Sequence, residues 1–456
     1  MQKKRITAAV LIGLLVACDS PETLVNRGKQ AVERKDYEAA IEVLATASER
    51  DPNDIAIRLL LADAYRLAGH WQDARREYVG VLSKTPLDHA VRLKLAKIAM
   101  EMHDPDSALS HINQVLDAEP DHPDALFLKA TVLIGTDPNK AILILSDLLK
   151  TNPDNELAIL ALSKAYQQSG LLDKAINTLE VGLKNAPEFE AFKEGLADLY
   201  LASHRAFDAE KLLLTMIGRK YDEISYYKKL ARLQMNQKKT DQAEKTYKMA
   251  VEAMPENIFA KLTYVDFLVD NISVEKGMTE LKNFLESTPQ ASILELRLAE
   301  LLIQQNKGEE AISLLNQIID SEKLNFDGVS ARLMLSKYWL KSDEADQYQK
   351  AEALLKPLLS TYPNNLSALE LMGEIRLTEK RIADAEVLFE KASSMNPNDV
   401  QLLKKLAQVQ IENGEHDKAK ASLSKAKALV PNDKTVADNL QALSNNSASG
   451  NPKNSN

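Results

Sequence analysis

The sequence predicts an all-α fold in which about twelve two-helix repeats stack into a solenoid. Three observations predict it: a period of 34 residues, small residues at fixed places in each period, and helix-ending signals between periods. One gap of 68 residues holds two periods, with Asp222 at the skipped mark, and one of 74 holds two periods plus six residues. The period is marked by Pro52, Pro86, Pro120, Pro153, Pro187, Pro255, Pro289, Pro363, Pro397 and Pro431.

Fixed positions inside each repeat suit the close packing of two helices. With each marker proline numbered 32, position 8 of the first helix is small in Gly28, Ala62, Ala96, Ala130, Ala197, Ala231, Ala299, Gly373 and Ala407. Position 20 of the second helix is small in Ala40, Ala74, Ala108, Ala141, Ala175, Ala243, Ala311, Ala351, Ala385 and Ala419. Small residues let two helix backbones approach closely.

Large residues provide the other half of this packing. Position 24 is large in Leu44, Tyr78, Ile112, Leu179, Leu214, Tyr247, Leu281, Leu315, Leu355, Phe389 and Leu423. We expect a further apolar set at position 17 to pack under the turn of each repeat: Tyr37, Trp71, Leu172, Phe207 and Ile382.

Helix ends are also written in the sequence. The marker prolines close the second helix of each repeat, because proline lacks an amide proton and restricts the preceding residue. Asn or Asp often follows, as in 51–54 and 396–399, and is expected to cap the next helix. Four glycines are expected at helix C-termini inside the repeats: Gly69, Gly170, Gly308 and Gly414.

With this spacing and these residues, the chain resembles the tetratricopeptide repeat family over nearly its whole mature length. The resemblance implies a right-handed superhelix whose first helices, the A helices, line a concave face. We expect this solenoid over 21–444, with a capping helix near 433–444. A short Asn/Ser/Gly tail over 445–456 is expected to be disordered.

The first twenty residues have the layout of a secretory signal peptide over 1–17. Lys3, Lys4 and Arg5 form a basic head, and the apolar run over 6–16 is too short to span a bilayer. Its end, 15–18, resembles the lipobox of bacterial lipoproteins, which implies cleavage before Cys18 and its acylation, as with palmitate, in a lipidated N-terminus over 18–20. Cys18 is the only cysteine. The alternative is an ordinary secretion signal that ends at Ala17.

The residues around Cys18 also imply a location. Asp19 resembles the inner-membrane retention signal of enteric bacteria, which implies the periplasmic face of the inner membrane; the outer membrane is the alternative. The opening over 18–21, followed directly by repeats, is similar to that of repeat lipoproteins associated with exosortase and exopolysaccharide systems.

Composition and motifs favour binding over catalysis. The formal net charge of −9 argues against a nucleic-acid partner. The sequence lacks a phosphate-binding glycine loop and the HExxH, CxxC and GxSxG patterns, so we expect no catalysis, no cofactor and no small-molecule substrate. His103, His111 and His122 lie within 20 residues, but turn and packing positions explain them better than a metal site.

The concave face is the candidate binding site. In this family positions 2, 5, 9, 12 and 13 of helix A are the usual contact positions. Position 5 is apolar in the first five repeats, in Val25, Leu59, Leu93, Phe127 and Leu160, which predicts either an exposed stripe for a partner or packing between neighbouring A helices. In repeat 7, Lys228 and Arg232, beside Tyr226 and Tyr227, could receive an acidic segment or form a solvated face.

These features favour a non-catalytic scaffold that binds proteins in an envelope process, such as exopolysaccharide export or surface-protein sorting. One alternative is a periplasmic chaperone for exported polypeptides. The other is a regulator of an envelope enzyme. A six-residue excess around 341–347 predicts an inserted loop that serves recognition or is a tolerated surface insertion.

Overall fold

The computed structural model of the protein describes residues 20–289, 291–341 and 345–449. Within these ranges the chain forms 25 α-helices and no β-strand, which confirms the predicted all-α class. Contacts between helices divide the chain into an N-terminal body that ends at Lys220 and a C-terminal body that begins at Tyr221. The predicted signal peptide, Cys18 and Asp19 lie outside the described residues, as does 450–456.

The helices alternate between the two halves of each repeat. The odd-numbered A helices are α1 (Pro21–Glu33), α3 (Ile55–Leu67), α5 (His89–Glu101), α7 (Pro123–Leu133), α9 (Glu156–Gln168), α11 (Glu190–Ala202), α13 (Ile224–Asn236), α15 (Ile258–Asn271), α17 (Ser292–Gln304), α19 (Phe326–Trp339), α21 (Leu366–Thr378) and α23 (Val400–Glu412). The even-numbered B helices are α2 (Tyr37–Arg50), α4 (Trp71–Lys84), α6 (Pro105–Leu116), α8 (Pro138–Thr151), α10 (Leu172–Asn185), α12 (Ala206–Arg219), α14 (Thr240–Ala253), α16 (Val274–Ser287), α18 (Gly308–Glu322), α20 (Ala345–Thr361), α22 (Ile382–Met395) and α24 (His416–Leu429). The last helix is α25 (Lys434–Ser449).

Twelve A–B pairs therefore make up the described chain, six in each body, and α25 follows the last of them. Consecutive helices pack on each other within and between repeats. Inside each body, A helices of successive repeats also touch directly, as α7 does α9 and α17 does α19. The A helices thus lie closest together and form the inner side of each stack. None of the helices in the described part of the chain combines the length and apolarity needed to cross a bilayer.

The predicted small-to-large packing holds in nearly every repeat. The ten alanines at position 20 are at most 1% exposed, and the position 8 residues are all buried. Contact is tightest where position 8 is glycine. A Cβ on Gly28 would lie 2.5 Å from Cγ of Leu44, and one on Gly373 would lie 2.8 Å from the Phe389 ring. Positions 8 and 24 therefore touch across each hairpin, as the pattern predicted.

Repeat 6 corrects one part of that pattern. Phe207 and Leu214 are 78% and 48% exposed, whereas Ala209 and Leu213 are fully buried. Helix α12 ends at Arg219, so Tyr221 rather than Asp222 occupies the skipped mark. A shift of one residue turns a side chain by about 100° around a helix, which moves it from the core to the surface. The B helix of this repeat had been numbered one residue too late.

Turns inside the repeats use a left-handed residue at position 15. Gly69, Gly170 and Gly414 have positive φ there, as expected. Gly308 does not: it opens α18, and a Cβ on it would lie 1.9 Å from the Tyr338 hydroxyl. The expectation of a helix C-terminus at Gly308 is therefore wrong, since Asn306 takes the left-handed position in that repeat. Glycine at 308 instead allows close contact between successive repeats.

Two further regions depart from the regular period. Helix α20 has 17 residues, more than any other B helix in the described ranges, so part of the six-residue excess lengthens a helix. Residues 342–344 of the expected loop lie outside the described residues. Helix α25 continues to Ser449, five residues past the end expected for the capping helix.

We predict that Gly373→Ala destabilises the protein although alanine is the better helix former. The new methyl group would overlap the Phe389 ring, which costs about 1–3 kcal/mol in the free energy of unfolding. Urea denaturation measures this change. Gly218→Ala is the control, because its Cβ would meet nothing within 4 Å and helix propensity alone stabilises it by up to about 1 kcal/mol. Equal effects of the two substitutions would contradict the packing described here.

Candidate protein-binding grooves

The A-helix side of the N-terminal body contains an open groove of about 670 Å³. We call it the N-terminal groove, and α7, α9 and α11 form its walls. Its lining includes residues at contact positions 5, 9, 12 and 13 of repeats 4 and 5, namely Phe127, Thr131, Ile134, Gly135, Leu160, Lys164, Gln167 and Gln168. The contact positions that the family resemblance implied therefore coincide with a cavity in this structure.

Small residues keep this groove open. Position 6 is Ala161 in α9 and Gly195 in α11, so neither helix sends a long side chain over its neighbour. A Cβ on Gly195 would lie 2.8 Å from Cδ1 of Leu179, which forms part of the floor. Helix α7 has 11 residues, and a side chain at Gly135 beyond its end would point into open space.

Other repeats close the same space with ion pairs. Position 9 of one A helix is joined to position 6 of the next by Lys94 and Asp63, 2.7 Å apart, by Arg297 and Asp266, 2.8 Å apart, and by Lys405 and Glu374, 2.6 Å apart. Each pair spans neighbouring repeats and covers the apolar residues beneath it. The N-terminal groove therefore lies where such bridges are missing from the A-helix side.

The groove combines an apolar floor with a polar rim. Phe127 and Leu160 are half-buried, so each presents part of its apolar surface to solvent. Lys164 and Asp198 are exposed at position 9 of successive helices, on opposite sides of the floor. Such a surface can bury apolar side chains of a partner while the rim pairs with polar groups.

The five residues predicted as a stripe fall into two groups. Phe127 and Leu160 line the groove together. Val25 and Leu59 are half-buried and pack on the cores of repeats 1 and 2. Leu93 is 7% exposed and belongs to a core cluster with Ala96 and Ile112. A continuous exposed stripe is therefore wrong, because Leu93 interrupts it.

Lys228 and Arg232 lie one turn apart on α13 in the C-terminal body. Both are exposed, and neither has an ion-pair partner within the described ranges. Tyr226 and Tyr227 are each only 2% exposed, and the Tyr227 hydroxyl donates to the Tyr221 carbonyl at 3.0 Å. The basic pair is thus presented to solvent without the aromatic surface that was expected beside it.

A second groove, of about 530 Å³, lies on the A-helix side of the C-terminal body. We call it the C-terminal groove; α17, α19, α21 and α23 line it. Its apolar floor contains Leu333 and Leu371. Position 5 of repeat 11 is Glu370, so a survey of position 5 missed this groove. The signal was Leu333, a large residue at position 8, where most repeats have alanine or glycine.

Charged side chains surround that floor. Lys405 lies 2.6 Å from Glu374 and 3.5 Å from Glu370, and Glu300 lies 2.5 Å from Arg297. Burial disfavours the charged form of Lys405, but its hydrogen bond to Glu374 and the attraction of both carboxylates raise its pKa above the ordinary value. These acids are held by cations and are not arranged for proton transfer.

The three histidines are explained by structure. His103 occupies a left-handed turn, and His122 caps α7 by accepting from the Ala125 amide at 3.4 Å. Burial lowers the pKa of His111, and nearby Arg92 and Arg75 lower it further, so the ring is neutral at pH 7. No group of three or more metal-binding side chains occurs in the part of the chain that the structure describes.

Comparison with known families identifies the repeats. Two family models, both described as tetratricopeptide repeat, match the chain, one over 31–98, 135–194 and 376–443 and the other over 93–156. Together they cover just over half of the 456 residues. The chain belongs to the tetratricopeptide repeat family. The sequence-based assignment of the repeats is confirmed.

Individual relatives are distant. The DnaJ protein P58IPK homolog B of Oryza sativa subsp. japonica is 25% identical over 207 residues, 42% of this chain and 44% of the relative. The chain thus spans less than half the length of that curated relative. A tetratricopeptide repeat protein from Parabacteroides merdae is similar in structure, with a TM-score of 0.44 and 20% identity, over 55% of this chain and 98% of that one. Yeast Tom70 is similar with a TM-score of 0.39 and 15% identity, over 92% and 99%.

The division between core and groove residues can be measured. We expect Leu93→Ala to lower the free energy of unfolding by about 2–5 kcal/mol, because it leaves a cavity in a closed core. Leu160→Ala should cost about 1 kcal/mol, since part of its side chain already contacts water. Urea titrations of both variants test this order. A larger loss for Leu160→Ala would assign that residue to the core.

Proposed function

We propose that the protein is a non-catalytic scaffold that binds a segment of a partner protein in the N-terminal groove. The observation that carries this proposal is the open apolar floor at the contact positions of repeats 4 and 5, which continues onto α11. Elsewhere on the inner face, ion pairs such as Lys94–Asp63 cover the corresponding space.

The dimensions of the groove suit a peptide segment. Packed helices lie about 8–10 Å apart, so a groove across three A helices is roughly 20 Å long. About 13 residues of α-helix, or about six extended residues, fill that length. Phe127 and Leu160 supply apolar contact, and Lys164, Gln167 and Asp198 supply polar contacts along the rim.

We further propose that an acylated Cys18 anchors this scaffold in a bacterial envelope, with Asp19 holding it at the periplasmic face of the inner membrane. Each buried CH₂ of an acyl chain contributes about 0.8 kcal/mol, so a multiply acylated cysteine anchors stably. Helix α1 begins at Pro21, capped by Ser20, so only three bonds of chain separate the anchor from the first repeat. The tether would raise the local concentration of the groove for membrane-associated partners.

The envelope process that fits this arrangement is exopolysaccharide export or the sorting of surface proteins. Both need a site that holds another protein near the membrane without chemical change. A chaperone for exported polypeptides would use the same apolar floor, but would bind many sequences rather than a few partners. The number of captured proteins therefore separates these two functions.

Gly135→Trp tests the groove directly. Nothing lies within 4 Å of a Cβ at this residue, so the indole should fill the groove without disturbing the fold. We expect crosslinked capture of specific partners from intact cells to fall at least about tenfold, which corresponds to about 1.4 kcal/mol. Mass spectrometry of the captured proteins gives the measurement.

Gly218→Trp is the matched control, because its Cβ also meets nothing within 4 Å and it does not line the groove. Circular dichroism should show equal helix content in both variants. If Gly135→Trp captures the same partners as the control, the groove is not the binding site. Capture of many unrelated unfolded proteins would favour the chaperone.

The anchor has its own test. Cells fed a radioactive fatty acid should label the natural protein, and Cys18→Ala should lose the label because the sequence contains no other thiol. Asp19→Ser should keep the label and move the protein from inner-membrane to outer-membrane fractions. Equal labelling of the natural protein and Cys18→Ala would contradict the acylation.

A further inference from the structure

The C-terminal groove carries an ordered pattern of charge that the N-terminal groove lacks. Lys337 lies in the last turn of α19, and Lys341 follows one turn later, just beyond the helix end. Both are exposed, and within the described ranges neither has an ion-pair partner. Two positive charges therefore face this groove from α19.

Carboxylates dominate on both sides of α19. On α17, Glu300 shares the single charge of Arg297 with Asp266, at 2.5 and 2.8 Å. On α21, Glu370 and Glu374 share the single charge of Lys405. Each of these groups keeps one negative charge in excess, so the order across the groove is negative, positive, negative.

Apolar surface lies beneath the charges. Ile303, Leu333 and Leu371 come from three successive A helices and are all half-buried. A bound segment could therefore bury apolar side chains at the centre of the groove. Neighbouring helices are about 8–10 Å apart, so the charge pattern repeats over about three extended residues or about six helical residues.

We propose that the C-terminal groove binds a partner segment whose acidic centre is flanked by basic residues, with its apolar side chains on Leu333 and Leu371. The central carboxylates pair with Lys337 and Lys341, and the basic flanks pair with Glu300 and with Glu370 or Glu374. This inference rests on the proposed scaffold function and adds a second site with its own specificity. An anionic membrane or nucleic acid fits poorly, because it would meet the carboxylates on both sides.

Two synthetic peptides of identical composition test the charge order. Both are 16-residue fluorescent peptides with the same leucines; one has a Glu-Glu centre and Lys flanks, and the other has a Lys-Lys centre and Glu flanks. Binding is measured by fluorescence anisotropy to the full chain carrying Gly135→Trp, so that the N-terminal groove is filled. We expect the peptide with the acidic centre to bind at least about tenfold more tightly, as two surface ion pairs provide.

Charge reversal at the two lysines should remove that preference. Lys337→Glu with Lys341→Glu should weaken binding of the acidic-centre peptide at least about tenfold and leave helix content unchanged. Lys245→Glu with Lys248→Glu is the control, because both lysines are exposed on the B helix α14 and the change in net charge is the same. The control should bind like the parent.

The remaining outcomes separate this inference from the proposed function. Equal affinity for the two peptides, equal loss in both charge variants, or no binding to the Gly135→Trp chain would overturn the charge-ordered site. If the acidic-centre peptide binds the natural chain but not Gly135→Trp, the N-terminal groove alone binds segments, and the scaffold function stands without the second site. Binding of anionic phosphatidylglycerol vesicles that depends on Lys337 and Lys341 would also overturn it in favour of a membrane surface.

Discussion

The close approach of two helix backbones at positions 8 and 24 is the constraint on which the rest of this structure depends. Gly28 against Leu44 and Gly373 against Phe389 show how little space remains there, since even one methyl group would overlap. Because this contact recurs in each hairpin, every repeat acquires nearly the same shape. Similar shapes stack with the A helices on one side and the B helices on the other, so the binding surface follows from the core packing.

A stack in which each repeat touches mainly its neighbours leaves the inner face free to vary. Its character is then decided by a few side chains at positions 6 and 9. Where a long cation at position 6 meets an acid at position 9, as with Lys94 and Asp63, the face is bridged. Where position 6 is Ala161 or Gly195, the same face is an open apolar groove. Two positions thus switch a repeat between self-contact and partner contact.

The two grooves differ in chemistry because their repeats differ in this way. The N-terminal groove offers mainly apolar area with a sparse polar rim, which suits binding through shape and burial. The C-terminal groove places Lys337 and Lys341 between carboxylates that share too few cations. Surface charge pairs add little affinity but discriminate well between partners. A chain with both grooves could hold two segments of unlike character.

The period of the prolines and the small residues at positions 8 and 20 determined the all-α class, the number of repeats and most of the core, because each is a local requirement of a helical hairpin. The register of α12 was not determined, since repeat 6 has no marker proline and only burial distinguishes Leu213 from Leu214. The same limit applied to the binding face. Leu93 and Leu160 occupy the same position in their repeats, yet one is core and the other lines a groove. That difference comes from neighbouring helices, so only the tertiary structure decided it.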